Sequence, residues 1–101
     1  MKINITKTQR ARLVKDWLND MFSDVEIIGS FDNRGVTYSK NGENIAFQDK
    51  KDKDFWFDYD IIWLFLESMF SLEYEELQSI TEDWLEKTLN LKGYRTSGAP
   101  V

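Results

Sequence analysis

Asp58 and Asp60, two residues apart in FWFDYDIIW, are the acids whose spacing invites joint chemistry. Two carboxylates that approach each other can divide general-acid and general-base duty, or share a cation. A chain with eighteen Asp and Glu residues produces such pairs by chance, and it has no Asp-x-Asp-x-Asp-Gly run to wrap calcium. It has no histidine and no cysteine. The commonest general base, the commonest metal ligand and the thiolate nucleophile are therefore all missing. Five glycines and one proline leave no glycine-rich phosphate loop. These features point to a protein that is not an enzyme and has no metal or cofactor.

What the sequence does offer is charge. The net value is −5, and its distribution is steep. Residues 1–53 carry ten Lys/Arg against eight Asp/Glu, whereas residues 54–91 carry Lys87 alone against ten carboxylates. The strongest concentration is Glu75, Glu76, Glu82, Asp83 and Glu86, which fall on one arc of a helical wheel. Like charges at these spacings repel, and a surface with no role in binding more often mixes signs. The arc is therefore a candidate docking face for a basic partner, with an ordinary solvated helix face as the alternative. Trp56 and Asp58, which share one face of a strand, join it as candidate partner-binding residues.

The elements that must position these residues follow from periodicity. Thr6-Lys7-Thr8-Gln9 reads as a capping box. Leu13, Val14, Trp17, Leu18, Met21 and Phe22 then recur at helical spacing, which predicts a first helix over about residues 7–22. VEIIGSF, VTYS and NIAFQ are short β-branched and aromatic runs separated by the turns DNRG and KNGE. Asn41-Gly42 is the strongest hairpin signal, because a type I′ turn needs φ > 0 at both central residues. DKKDKD reads as a loop tip, and FWFDY as a further strand.

FWFDYDIIWLFLESMF, residues 55–70, holds seven of the fifteen aromatic residues. It is shorter than the ~20 apolar residues needed to span a bilayer, and Asp58, Asp60 and Glu67 interrupt it. It reads instead as a strand to about 58 and a second helix to about 70, capped by Asp58 or Asp60. Residues 61–66 are apolar in every direction, which predicts burial on most sides, with Trp63 in the core. A third helix is expected over about 73–91, with Gly93 at C′. The expected fold is α+β, in the order α-β-β-β(-β)-α-α, with helices against an antiparallel meander of three or four strands. Residues 1–93 form one domain, and 94–101 a short mobile tail. MKINITKTQRARLVKDW has no apolar leader segment, and the lack of cysteine suits a reducing cytoplasm.

Lys7, Arg10, Arg12 and Lys15 gather basic charge, and the second and third helices outline a helix-turn-helix. The recognition position of that motif falls on the acidic helix, which a duplex repels, so no direct nucleic-acid contact is expected.

The closing pattern YDIIWLFLESMFSLEYEELQSITEDWLEKTLNLKG resembles the C-terminal ends of small uncharacterised bacteriophage-encoded accessory proteins. The resemblance covers about a third of the chain and carries no functional residues. It implies an inhibitor that blocks a host defence or nucleic-acid-handling protein, in some cases as a nucleic-acid mimic. The partner expected on this basis is a basic surface of a host protein in the host cytoplasm. Two alternatives stand beside it. One is a self-associating structural or assembly protein, a homodimer for instance, that uses the second helix and the outer aromatics. The other is an immunity-type partner of a basic toxin.

Overall fold

The computed structural model describes residues 6–101. The expectation of no leader, read in part from residues 1–5, lies outside the described residues. The fold is α+β: three helices against one face of a five-stranded sheet. Helix α1 spans Lys7–Met21 and opens with the expected capping box. The Gln9 amide donates to Thr6 Oγ1 at 3.1 Å, and the Thr6 amide donates to Gln9 Oε1 at 2.9 Å. At its other end Lys40 Nζ donates to the carbonyls of Asp20 and Met21 at 3.1 and 2.9 Å.

Strands β1 (Glu26–Gly29), β2 (Gly35–Lys40), β3 (Glu43–Asp49) and β4 (Asp54–Asp58) form an antiparallel meander. Asn41 and Gly42 have φ of 52° and 84° and set Lys40 opposite Glu43, the two-residue turn that the sequence predicts. β1 lies at the sheet edge and pairs with β2 alone.

Four features differ from the sequence-based expectations. The segment 94–101 is not a free tail. Arg95–Ala99 forms a fifth strand, β5, parallel to β4, so the sheet is mixed rather than purely antiparallel. Polar contacts to α3, one of them fully buried, hold β5 in place. Thr96 Oγ1 lies 2.6 Å from Thr81 Oγ1, the Thr96 amide donates to Glu82 Oε2 at 3.2 Å, and Gln78 Nε2 donates to the Thr96 carbonyl at 2.8 Å. A Cβ on Gly98 would stand 2.5 Å from Trp63 Cγ, so the indole packs directly on the strand backbone.

The third helix is also shorter than predicted. Helix α3 is α-helical over Tyr74–Trp84, widens to a π-helical turn over Leu85–Leu89, and ends at Asn90 in the left-handed region. Asn90 takes the terminating role expected of Gly93, because asparagine tolerates positive φ.

The second helix starts with a π-helical turn at Tyr59–Trp63 and continues as helix α2 over Leu64–Phe70. Asp58, not Asp60, caps it: the Ile61 amide donates to Asp58 Oδ2 at 2.9 Å.

The fourth difference is burial. Ile62, Trp63 and Leu66 are inaccessible, but Leu64, Phe65 and Met69 are 40%, 37% and 56% exposed. One side of α2 is open to solvent.

Phe22, just after α1, anchors the core. Its ring centroid is 5.0 Å from Trp84, 5.8 Å from Tyr38 and 6.0 Å from Phe57. Val14, Leu18, Leu66, Leu77 and Leu85 close the layer between helices and sheet. The other face of the sheet carries no helix, and there Phe47 stacks on Trp56 at 5.8 Å. No helix among the described residues is long and apolar enough to cross a membrane.

Candidate interaction surface

The structure gives the seven candidate residues different surroundings. On α3, Glu75 and the turn residue Glu86 are exposed. Glu76 is half-buried. Its Oε2 lies 3.7 Å from Arg10 Nη2, and its Oε1 accepts from the Glu73 amide at 3.4 Å in a capping box. Glu82 accepts the Thr96 amide of β5. Asp83 is bridged by Lys15 of α1 and by Lys87 Nζ, the latter at 3.2 Å. Hydrogen bonds from these two ammonium groups hold its carboxyl below the usual carboxylate range. The repulsion expected along the arc is thus relieved by cations from a neighbouring helix and by an amide from a strand.

Trp56 and Asp58 lie on β4, on the sheet face turned away from α3. The Asp58 carboxylate is engaged in capping. The seven residues therefore do not form one surface. Among the described residues no three acids gather at metal-binding distances. Trp63 is fully buried, as the sequence predicts.

A different surface appears where α1 meets α2. Leu13 and Trp17 are one turn apart on α1, and Phe65 and Met69 one turn apart on α2. The Trp17 and Phe65 rings stack at 5.2 Å and 29°, which joins the two pairs into one apolar strip. Leu13 is 41% exposed, and Leu64 adds a further apolar side chain on α2. Arg10 borders the strip, with its guanidinium donating to the Ser71 carbonyl at 3.2 Å at the end of α2.

Sequence reasoning placed these residues on apolar faces and therefore indoors. The available signal was an excess. A seven-residue helix with apolar groups in every direction exceeds what one sheet and two neighbouring helices can cover. The helix wheel alone cannot show which side stays open.

A cleft of about 320 Å³ beside the β2–β3 turn is walled by Met21, Lys40, Asn41, Glu43, Ile45 and Ile61, with Lys40 already bonded to α1. What the α1–α2 strip can do is bury apolar area against another macromolecule. Comparison of the chain with protein-family models, with curated proteins and with solved structures gives no match.

Proposed function

We propose that this chain is a small protein-binding domain without catalytic activity, and that it engages its partner through the apolar surface of α1 and α2. The observation that carries this reading is the stacked Trp17–Phe65 junction. It joins exposed Leu13, Phe65 and Met69 into one strip that spans two helices. Surfaces of that kind serve association. The absence of histidine and cysteine from the sequence agrees with a binding role. A photo-reactive amino acid placed at Met69, and separately at Thr37 on the helix-free sheet face, tests the reading. Discrete crosslinked species should form from position 69 and not from position 37. No adduct at 69, or equal adducts at both, would remove the α1–α2 surface as the binding face.

A second reading keeps α3 as the docking site of a basic host protein. In it the chain is a phage-encoded inhibitor of a defence or nucleic-acid-handling protein in the host cytoplasm, or an immunity-type partner of a basic toxin. Its support is that Glu75 and Glu86 stay exposed and have no ion-pair partner among the described residues, within a segment that carries one lysine against ten acids. Steering by such a field weakens as salt shortens the Debye length from about 10 Å at 0.1 M to about 3 Å at 1 M. Replacing Glu75 and Glu86 with Gln should then lower affinity for a basic partner and flatten its salt dependence. Unchanged affinity and salt response would leave the arc as a solvated face.

A further inference from the structure

The occupant of the α1–α2 surface can be read from the charges of α1, and this step rests on the reading of that surface as the binding face. Lys7, Arg10 and Arg12 occupy the first half of the helix and Asp16 and Asp20 the second. No acid lies in the first turn and no base in the last. The helix dipole favours the reverse order, with anions near the N-terminus and cations near the C-terminus. Part of the mismatch is settled within the fold. Arg10 turns to Glu76 and to the Phe70 and Ser71 carbonyls, Lys15 pairs with Asp83, and Lys40 covers the last α1 carbonyls. Lys7, Arg12, Asp16 and Asp20 remain exposed, with no ion-pair partner among the described residues.

We infer that the strip is covered by a second copy of this chain, with the two α1 helices antiparallel. α1 runs from Lys7 to Met21, so its midpoint is Val14, and Arg12 and Asp16 stand two residues to either side. A two-fold axis in the contact plane, perpendicular to α1 at that midpoint, sets Arg12 of each copy beside Asp16 of the other. The same rotation leaves Lys7, which lies on the α3 side of α1 beside Ala11 and Glu76, outside the contact, so the Arg12–Asp16 pairs carry its charge complementarity. It also faces α2 with α2, so Phe65 and Met69 of both copies leave water in one contact. An isologous contact of this kind is the commonest route to a homodimer. An unrelated partner would have to present both charge signs in reverse order beside an apolar strip, whereas a second copy does so by symmetry.

Sedimentation velocity of the purified chain over a wide concentration range tests this. The mass should rise from 12.0 kDa toward twice that value. Arg12→Asp and Asp16→Arg should each weaken the dimer about tenfold or more, because every single reversal creates two like-charge contacts about the axis. The double variant should regain affinity, which is the coupling expected of residues in contact across the interface. Both positions are exposed, and each change moves a charge toward the end the dipole favours, so circular dichroism should show intact helices. A chain that stays monomeric at every concentration overturns the second-copy inference, while crosslinking from position 69 would still stand for the face itself. A dimer unaffected by both single reversals and by Phe65→Ser lies on another surface and overturns both readings.

Discussion

On α2 the apolar Leu64, Phe65 and Met69 reach water beside Ser68, while α3 and its closing turn carry the carboxylates Glu75, Glu76, Glu82, Asp83 and Glu86. Most of those carboxylates are engaged within the same molecule. Glu76 meets Arg10, Glu82 accepts an amide of β5, and Asp83 lies between Lys15 and Lys87. The helix that reads as buried therefore has an open side, and the helix that reads as a free charged face is largely tied down. The cause is the same in both cases. α1 crosses near α3 with Arg10 and Lys15 in reach of its acids, while it meets α2 through the Trp17 ring and through Arg10 at the α2 C-terminus. The surface character of a helix depends on which neighbour stands beside it as much as on its own wheel.

The sharpest way to break this contrast lies within the second helical segment. Trp63→Ala empties a fully buried site packed on Phe57, Tyr74 and the Gly98 backbone, and should cost about 3–5 kcal/mol. Phe65→Ala removes a ring that is already partly in water and should cost about 1–2 kcal/mol, much of it the stack on Trp17. Denaturant titration of the two variants side by side measures the difference. Equal losses would mean that Phe65 is core and that the strip is not available for binding.

A smaller effect tests how β5 locks the covered side. Gly98→Ala introduces a Cβ 2.5 Å from Trp63 Cγ, with the indole unable to retreat, and should cost about 1–3 kcal/mol. Thermal melts with a near-ultraviolet readout of the tryptophans should show both the loss and an altered indole environment. An unchanged melt would detach β5 from the core.

The smallest effect belongs to α3. Lys15 and Lys87 lower the folded-state pKa of Asp83 below its ordinary value of 3.8. Its contribution to stability is therefore complete above that value and is lost as pH falls through the lowered one. The carboxylate is solvated, so the effect is slight. In Asp83→Asn the melting temperature should fall less steeply on the acid limb than in the parent chain. Parallel acid limbs would show that the two ion pairs contribute nothing measurable.

The sequence made legible whatever is decided within a few residues. The Thr6–Gln9 box, the Asn41-Gly42 turn and the Asp58 cap each rest on contacts across one to three positions. β5 was not legible, because RTSGA has neither alternation nor β-branched enrichment and its pairing with β4 is non-local. Its place is set by Thr96 bonding to α3 and by the flat backbone at Gly98, features that gain meaning only once Trp63 is in position. The candidate site was half legible for the same reason. The carboxylate arc is a local pattern, whereas the cations that neutralise it and the open side of α2 depend on how α1 crosses the other two helices.

The edge strand β1 has a consequence in the time domain. The Ser30 amide donates to the Gly35 carbonyl at 2.8 Å, one step beyond the pairs Gly29↔Val36 and Ile28↔Thr37. Bonded and non-bonded pairs alternate along an antiparallel ladder, so Ile28 directs its amide toward β2 while Ile27 and Gly29 direct theirs away from the sheet. Amide hydrogen exchange along this strand should therefore alternate residue by residue, slow at Ile28 and fast at Ile27 and Gly29. If a strand from any other molecule adds to this edge, the two fast amides slow together while Ile28 keeps its rate. That gives a kinetic signature that separates growth of the sheet from association through the helices.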